Sequence, residues 1–381
     1  MTAKQKAALV GAGALLLALT WQTATVQFNY NGNWSALFYI GDRWPLPPEL
    51  ASDGVRVFRN DPGYDAVFYH LVAHDPWLDR GFSRFADNAS MRWRRILTPG
   101  LAHLAAWGND ARIHACYISV NLVFIFLGAW WLARYCLFHD SRAAYGLGFL
   151  TVPSVLVSID RLTIDTALAA LLIGFIVCAA EGRTGRSATI LAFCPLARET
   201  GLCLTVGKIL ADLRDRKRAS ALVAAATAIP FLIWAGFVMR HTPTDGTAWL
   251  GWPFEGILRR TLHPLVYPIT GKWVAAAAAF DYLALLGIWA ALFQAGYLAL
   301  KRRNGLLESC AITFASAAIF LGKADIWSGA YEFGRTMSPL LILLGLYAVR
   351  ERNRFFVMPL MLSLPRILLQ YEPQLKGIVR H

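Results

Sequence analysis

Residues 187–212 read SATILAFCPLARETGLCLTVGKILAD, and whether this stretch crosses a membrane once or turns back decides the architecture of the chain. It forms the body of an apolar run of about 27 residues, long enough for one span. Pro195 and the pair Arg198–Glu199 interrupt it midway. Basic turns flank it, Glu181–Arg186 before and Arg214, Arg216, Lys217 and Arg218 after. Basic loops stay in the cytoplasm, so a single crossing would strand one of these turns outside. Two half-length helices, 187–197 and 200–212, that enter and return from the same side remove the conflict. At about 1.5 Å per residue each rises less than about 20 Å, short of the hydrocarbon core of about 30 Å. Such a re-entrant pair is tolerated where protein or a water-filled cavity surrounds its tip. Arg198 and Glu199 are therefore expected inside the bundle, facing a cavity.

The flanking sequence repeats this alternation of apolar run and basic turn. The chain has 381 residues, is 56% hydrophobic with 14 Trp and has a mean hydropathy of +0.44, as a bundle of membrane helices would. Its formal charge of +13 comes from Lys and Arg clustered between apolar runs. That is the distribution of topology signals and gives nucleic acid no role. The runs fall at about 7–25, 111–133, 142–159, 163–180, 219–239, 273–299, 306–321, 337–349 and 355–370. The expected fold is an all-α polytopic membrane protein, one integral-membrane domain over 1–381, with about nine spanning helices and the re-entrant pair. The first run follows Lys4 and Lys6 without a small-residue cleavage site and reads as an uncleaved first helix. The six cysteines lie within or at the ends of apolar runs with no CxxC spacing, so neither disulfides nor a thiolate metal site is expected.

With the N-terminus inside, residues 26–110, 160–162, 240–272, 322–336 and the tail after Gln370 fall outside. The first of these loops contains Asp61 to Pro76, DPGYDAVFYHLVAHDP. Three pieces, about 63–74, 77–87 and 93–107, read as short helices lying along the membrane surface. In the loop 240–272, Trp249, Trp252 and Phe254 are expected interface anchors beside Arg259 and Arg260.

Asp61 reads as a helix N-cap with Pro62 at the first helical position. Asp65, flanked by Tyr64, Phe68 and Tyr69, is the candidate base: a partly desolvated carboxylate at the headgroup plane is expected to have a raised pKa. Asp61, Asp75 and Asp165 are the acids that can support it, although Asp165 also reads as a helix-start residue beside Asp160. His70 and His74 share a helix face, but at about 100° per residue Asp65 points about 140° away from His70. With no third ligand identifiable they read as polar residues on a wetted face; no metal ligands are assigned, and a divalent metal remains open. Arg92, Arg94 and Arg95 form an outer basic patch suited to a lipid phosphate or to anionic lipid generally. Arg94, Arg95, Arg198 and Arg335 are the candidates for holding a donor phosphate, and Tyr64, Tyr69 and Glu199 for substrate contacts. Arg198 and Glu199 can alternatively pair with each other, and Arg335 can snorkel.

Gly63-Tyr64-Asp65 with Phe68-Tyr69 and His74-Asp75-Pro76, then Arg92-Trp93-Arg94-Arg95-Ile96-Leu97-Thr98-Pro99, then Arg198-Glu199-Thr200-Gly201-Leu202, and last Arg335 before Ser338-Pro339 occur in that order. In this order and membrane placement they resemble the GT-C superfamily of integral-membrane glycosyltransferases, most closely bacterial members linked to cell-surface glycopolymers. Ala66, Val67 and Thr98 depart from the residue types common there. The resemblance implies a protein of the bacterial inner membrane and a sugar donor carried on polyprenyl phosphate. It also implies transfer at the outer face to a glycan, lipid or protein acceptor, and an essential acid in the first outer loop, which falls on Asp65. A transporter or lipid-glycan flippase is the main rival, but broken helices in transporters usually come with paired repeats and compact loops. An O-antigen polymerase or ligase would depend instead on late basic residues such as Arg259, Arg260 and Arg335. A noncatalytic scaffold would depend on neither set.

Overall fold

A computed structural model describes residues 1–51, 54–243, 249–265, 272–301 and 305–380. The basic turn at Arg302 and Arg303 and parts of the expected loop 240–272 lie outside these residues. The chain is predominantly helical; among the described residues, the only ladder is a two-residue parallel pairing of Ile40–Gly41 with Val57–Phe58.

Among the described residues, four helices are long and apolar enough to cross a membrane: Ala3–Asn29, Asp110–Phe138, Arg218–His241 and Val274–Leu300. The chain is thus a membrane protein by its helices. The run expected at 142–159 is instead a pair, Ala143–Thr151 and Pro153–Arg161, bent by 64°. Pro153 disfavours the helical conformation at the preceding residue, and Val152 is extended at φ −67°, ψ 128°. Counting that pair gives up to five spans, against the nine expected. Of the other runs, Asp165–Ala180 and Leu306–Ile319 are only 16 and 14 residues long, and Met358–Leu368 only 11. Ala330–Glu351 has 22 residues but carries Glu332 and Arg335 in its first two turns.

Asp165–Ala180 is buried along nearly its whole length, packed on Asp110–Phe138, Thr184–Ala197 and Ala330–Glu351. A helix that is apolar all round belongs inside. A methyl group at Gly174 would stand 2.7 Å from the Trp131 ring, so a glycine is what lets these two helices approach.

The segment between the first two long helices differs from the expectation of surface-lying helices. Over 63–74 the helix spans only Ala66–His74, and every residue of it is buried. The segments 34–38, 82–85, 89–94 and 97–105 and the helix Asp110–Phe138 pack around it and leave it no wet face. At 77–87 there is a turn with a single 3-10 segment, Phe82–Phe85. At 93–107 there are two short helices, Ala89–Arg94 and Leu97–Ala105.

The two ends of the bundle differ in chemistry. At one end Arg134 pairs with Glu181 at 2.5 Å and Arg350 with Glu308 at 2.5 Å. Asp165 and Arg335 sit at the opposite ends of the same helices, about 24 Å and about 22 Å along their axes. Between Thr184–Ala197 and Leu202–Arg214 the chain breaks at Arg198, which is extended at φ −161°, ψ 137°. A Cβ on Gly201 would lie 2.4 Å from the Cys194 carbonyl carbon, so this bend requires glycine. Six residues later Gly207 backs onto Cys310, 2.7 Å from a Cβ built there to the Cys310 Cα, two residues beyond Glu308.

Candidate active site

Gly63 sits at φ +73°, and a Cβ there would lie 2.5 Å from the Gly41 nitrogen. This left-handed residue cannot belong to a helix, so the helix starts at Ala66. Asp61 is therefore not its N-cap. The Asp61 carboxylate instead accepts the Gly63 N–H and the Tyr39 hydroxyl, both at 2.8 Å, and closes the turn. Asp65 occupies the N-cap position but makes no capping bond, which frees its carboxylate to leave the helix.

That carboxylate lies between two guanidinium groups. Arg92 Nη2 donates to Oδ1 at 2.9 Å and Arg335 Nη2 to Oδ2 at 2.8 Å. Arg335 also donates through Nε to Asp165 at 2.9 Å and through Nη1 to the Tyr64 hydroxyl at 2.9 Å. Asp165 in turn pairs with Arg198, whose other nitrogen reaches Thr336 at 3.2 Å. The Tyr69 hydroxyl accepts from Arg92 at 3.1 Å and from Arg95 at 2.7 Å. Arg95 closes the chain of contacts by gripping Glu199 with two nitrogens, Nε at 2.8 Å. Arg198 and Glu199 therefore do not neutralise each other across the break; each has its own distant partner.

These groups wall a cavity of about 280 Å³, to which Asp65, Arg92, Arg95, Arg198, Glu332 and Arg335 all contribute. The volume is near the small end of ligand sites. Asp65 keeps 32% of its side-chain surface open. Burial by itself would raise its pKa, but the charges and hydrogen bonds of Arg92 and Arg335 outweigh that and hold it well below the usual carboxylate range. The expected raised pKa is thus reversed: at rest Asp65 is firmly ionised.

Of the residues expected from sequence, Asp65, Asp165, Arg95, Arg198, Arg335, Tyr64, Tyr69 and Glu199 form one connected network. Arg94 is not in it, because its Nε donates back to Ser90 O at 3.0 Å on its own helix. Arg92 and Arg95, three apart, share the inward face, and Arg92 takes the place expected for Arg94. Asp75 accepts the backbone N–H groups of Asp79, Arg80 and Phe82, which makes it the anchor of a turn. Sequence reasoning had no signal for Asp87, which binds Arg92 at 2.7 Å.

No family model, no curated protein and no solved structure matches this chain. Its functional reading rests on its own geometry.

The histidines also differ from expectation. His70 and His74 are buried, not wetted, and meet His114, which no motif in the sequence connects with them. His70 Nε2 lies 2.7 Å from His114 Nε2 and 3.1 Å from His74 Nε2. His74 Nδ1 lies 2.6 Å from Asp110 Oδ1. Burial lowers both pKa values, that of His74 to about 4, so both rings are neutral.

Proposed function

We propose that this protein is a membrane glycosyltransferase that moves a sugar from a polyprenyl-phosphate donor to an acceptor hydroxyl, with Asp65 as the base. The observation that carries this reading is a carboxylate bracketed by Arg92 and Arg335 on the wall of a small polar cavity, with Arg95 and Arg198 beside it. A cavity with four guanidinium groups suits a phosphate, and fixed positive charge helps most where a phosphate leaves. The cavity lies at the bundle end remote from the basic turns. By the positive-inside rule it opens outside the cytoplasm, with the N-terminus inside and the halves 187–197 and 200–212 re-entering from the cytoplasmic side.

The low resting pKa of Asp65 has a consequence for the mechanism. A donor phosphate that binds Arg335 and Arg198 competes with Asp65 and Asp165 for them. Losing one of its two guanidinium partners raises the proton affinity of Asp65, so the base becomes effective when the donor is in place. The acceptor oxygen then attacks the anomeric carbon as its proton passes to Asp65. The bond from that carbon to the phosphate oxygen breaks with inversion, and polyprenyl phosphate departs against the arginines. Glycan, lipid and protein acceptors are all compatible with this chemistry.

The test is transfer by purified protein from a panel of polyprenyl-phosphate sugars, with and without chelator, beside Asp65→Asn. Transfer by the wild type and its loss in a folded Asp65→Asn protein are expected. Equal rates in the two would overturn the assignment. A flippase would give lipid movement without transfer, and an O-antigen ligase would fail on Arg259→Ala while tolerating Asp65→Asn.

A further inference from the structure

The helix that presents Asp65 at its N-terminus ends in a second cluster that the transfer chemistry does not use. We propose that His70, His74 and His114 bind a zinc-class divalent cation through their three Nε2 atoms. The three ligand atoms lie within 4.8 Å of one another. A tetrahedral zinc with Zn–N bonds of about 2.0–2.1 Å needs nitrogens about 3.3 Å apart, so the contacts of 2.7 and 3.1 Å at His70 must open by a few tenths of an ångström and the remaining pair, up to 4.8 Å apart, must close as the rings turn onto the cation.

Hydrogen bonding alone accounts poorly for this arrangement. His70 Nε2 faces two other Nε2 atoms at once, and a single proton can lie along only one of those lines. One cation at the centre serves all three nitrogens. The tautomer of His74 agrees: its Nδ1 faces the Asp110 carboxylate at 2.6 Å, which places the proton on Nδ1 and turns the Nε2 lone pair toward the cluster. Asp110 is itself held by Arg80 at 2.9 Å. A carboxylate behind a ligating imidazole is the usual outer support of a histidine metal site. The Phe38 ring closes one side, 4.5 Å from the His70 ring and 5.5 Å from that of His114.

Three imidazoles and no inward carboxylate select zinc, cobalt, nickel or copper over magnesium or calcium. His114 is only partly buried, which leaves a fourth position for water. The cation ties the C-terminal half of Ala66–His74 to the second turn of Asp110–Phe138. Asp65 lies about 7.5 Å from His70 and about 14 Å from His74 along the same helix, out of reach of the cation itself, so the role of the metal is positional.

The full-length protein, purified in detergent, is analysed for metal by mass spectrometry. About one zinc per chain is expected for the wild type and for His241→Ala, whose exposed ring bonds the Phe237 carbonyl on its own helix, and less than a tenth of that for His114→Ala. Protein stripped by chelator and reloaded with cobalt should show the visible bands of tetrahedral cobalt. Should His114→Ala misfold, Asp110→Asn retains all three ligands and should bind cobalt 10- to 100-fold more weakly, measured against a coloured chelator. A wild type that carries under a tenth of a metal and takes up no cobalt overturns the proposal. So does His114→Ala with full metal content, or Asp110→Asn with wild-type affinity. None of these readouts depends on sugar transfer.

Discussion

Arg335→Lys tests the network most sharply because it keeps the charge and removes only the shape. Arg335 is 5% exposed and uses its three nitrogens on three different partners: Asp165, Tyr64 and Asp65. A lysine ammonium is a single point and keeps one of these contacts. Each lost hydrogen bond to a charged group is worth about 1.5–3 kcal/mol, so two give about 3–6 kcal/mol. The lower end applies, because Asp165 keeps Arg198 and Asp65 keeps Arg92. Unfolding entropy of about 2.1 cal/mol/K per residue over 381 residues is about 0.8 kcal/mol/K. A loss of about 3 kcal/mol then lowers Tm by about 4 °C. Thermal unfolding in detergent, followed by tryptophan fluorescence, is measured for the wild type, Arg335→Lys, Asp65→Asn and the double variant. The double variant should lose less than the sum of the singles, since Asp65→Asn already weakens a contact that lysine forfeits. A Tm for Arg335→Lys within 1 °C of wild type, or strictly additive losses, would refute the reasoning.

Asp65→Asn should lower transfer by about 10²–10⁴-fold, the usual contribution of a general base, measured by initial rates on the purified protein. The folded pKa of Asp65 is depressed below its ordinary value of 3.8. Its stabilisation is therefore complete above the unfolded value and is lost as pH falls through the lower folded one; in acid titrations the wild type should lose Tm more steeply below about pH 4 than Asp65→Asn. Gly201→Ala should cost about 1–3 kcal/mol, because the added methyl meets the Cys194 carbonyl and the bend must open. Gly236→Ala, with nothing within 4 Å of its Cβ position, should cost nothing in the same denaturation assay. Arg94→Ala should stay within about 0.5 kcal/mol of wild type and keep full transfer, whereas Arg92→Ala should lose both stability and transfer.

Much of the site was legible because charges in apolar surroundings are costly and need partners. Asp65, Arg198, Glu199 and Arg335 stand out in the sequence for that reason. Arg92 and Arg94 were not separable, since both lie in one short basic run, and which of them faces inward depends on where the helix Ala89–Arg94 begins. The burial of Ala66–His74 was misread through its histidines. Polar residues suggested a wet face, but those two rings face His114, 44 residues beyond His70.

The sequence by itself determined what is local: apolar runs long enough for membrane helices and the break at Arg198–Glu199, whereas the left-handed turn at Gly63 that moves the helix start to Ala66 came only with the structure. Helix length and backbone breaks depend on neighbours a few residues apart, and those are written in order along the chain. Only the tertiary structure decided which charge meets which. Asp65 and Arg335 are 270 residues apart, Asp165 and Arg335 170, and Arg95 and Glu199 104. Such pairings follow from how helices pack, and residue spacing carries no record of that.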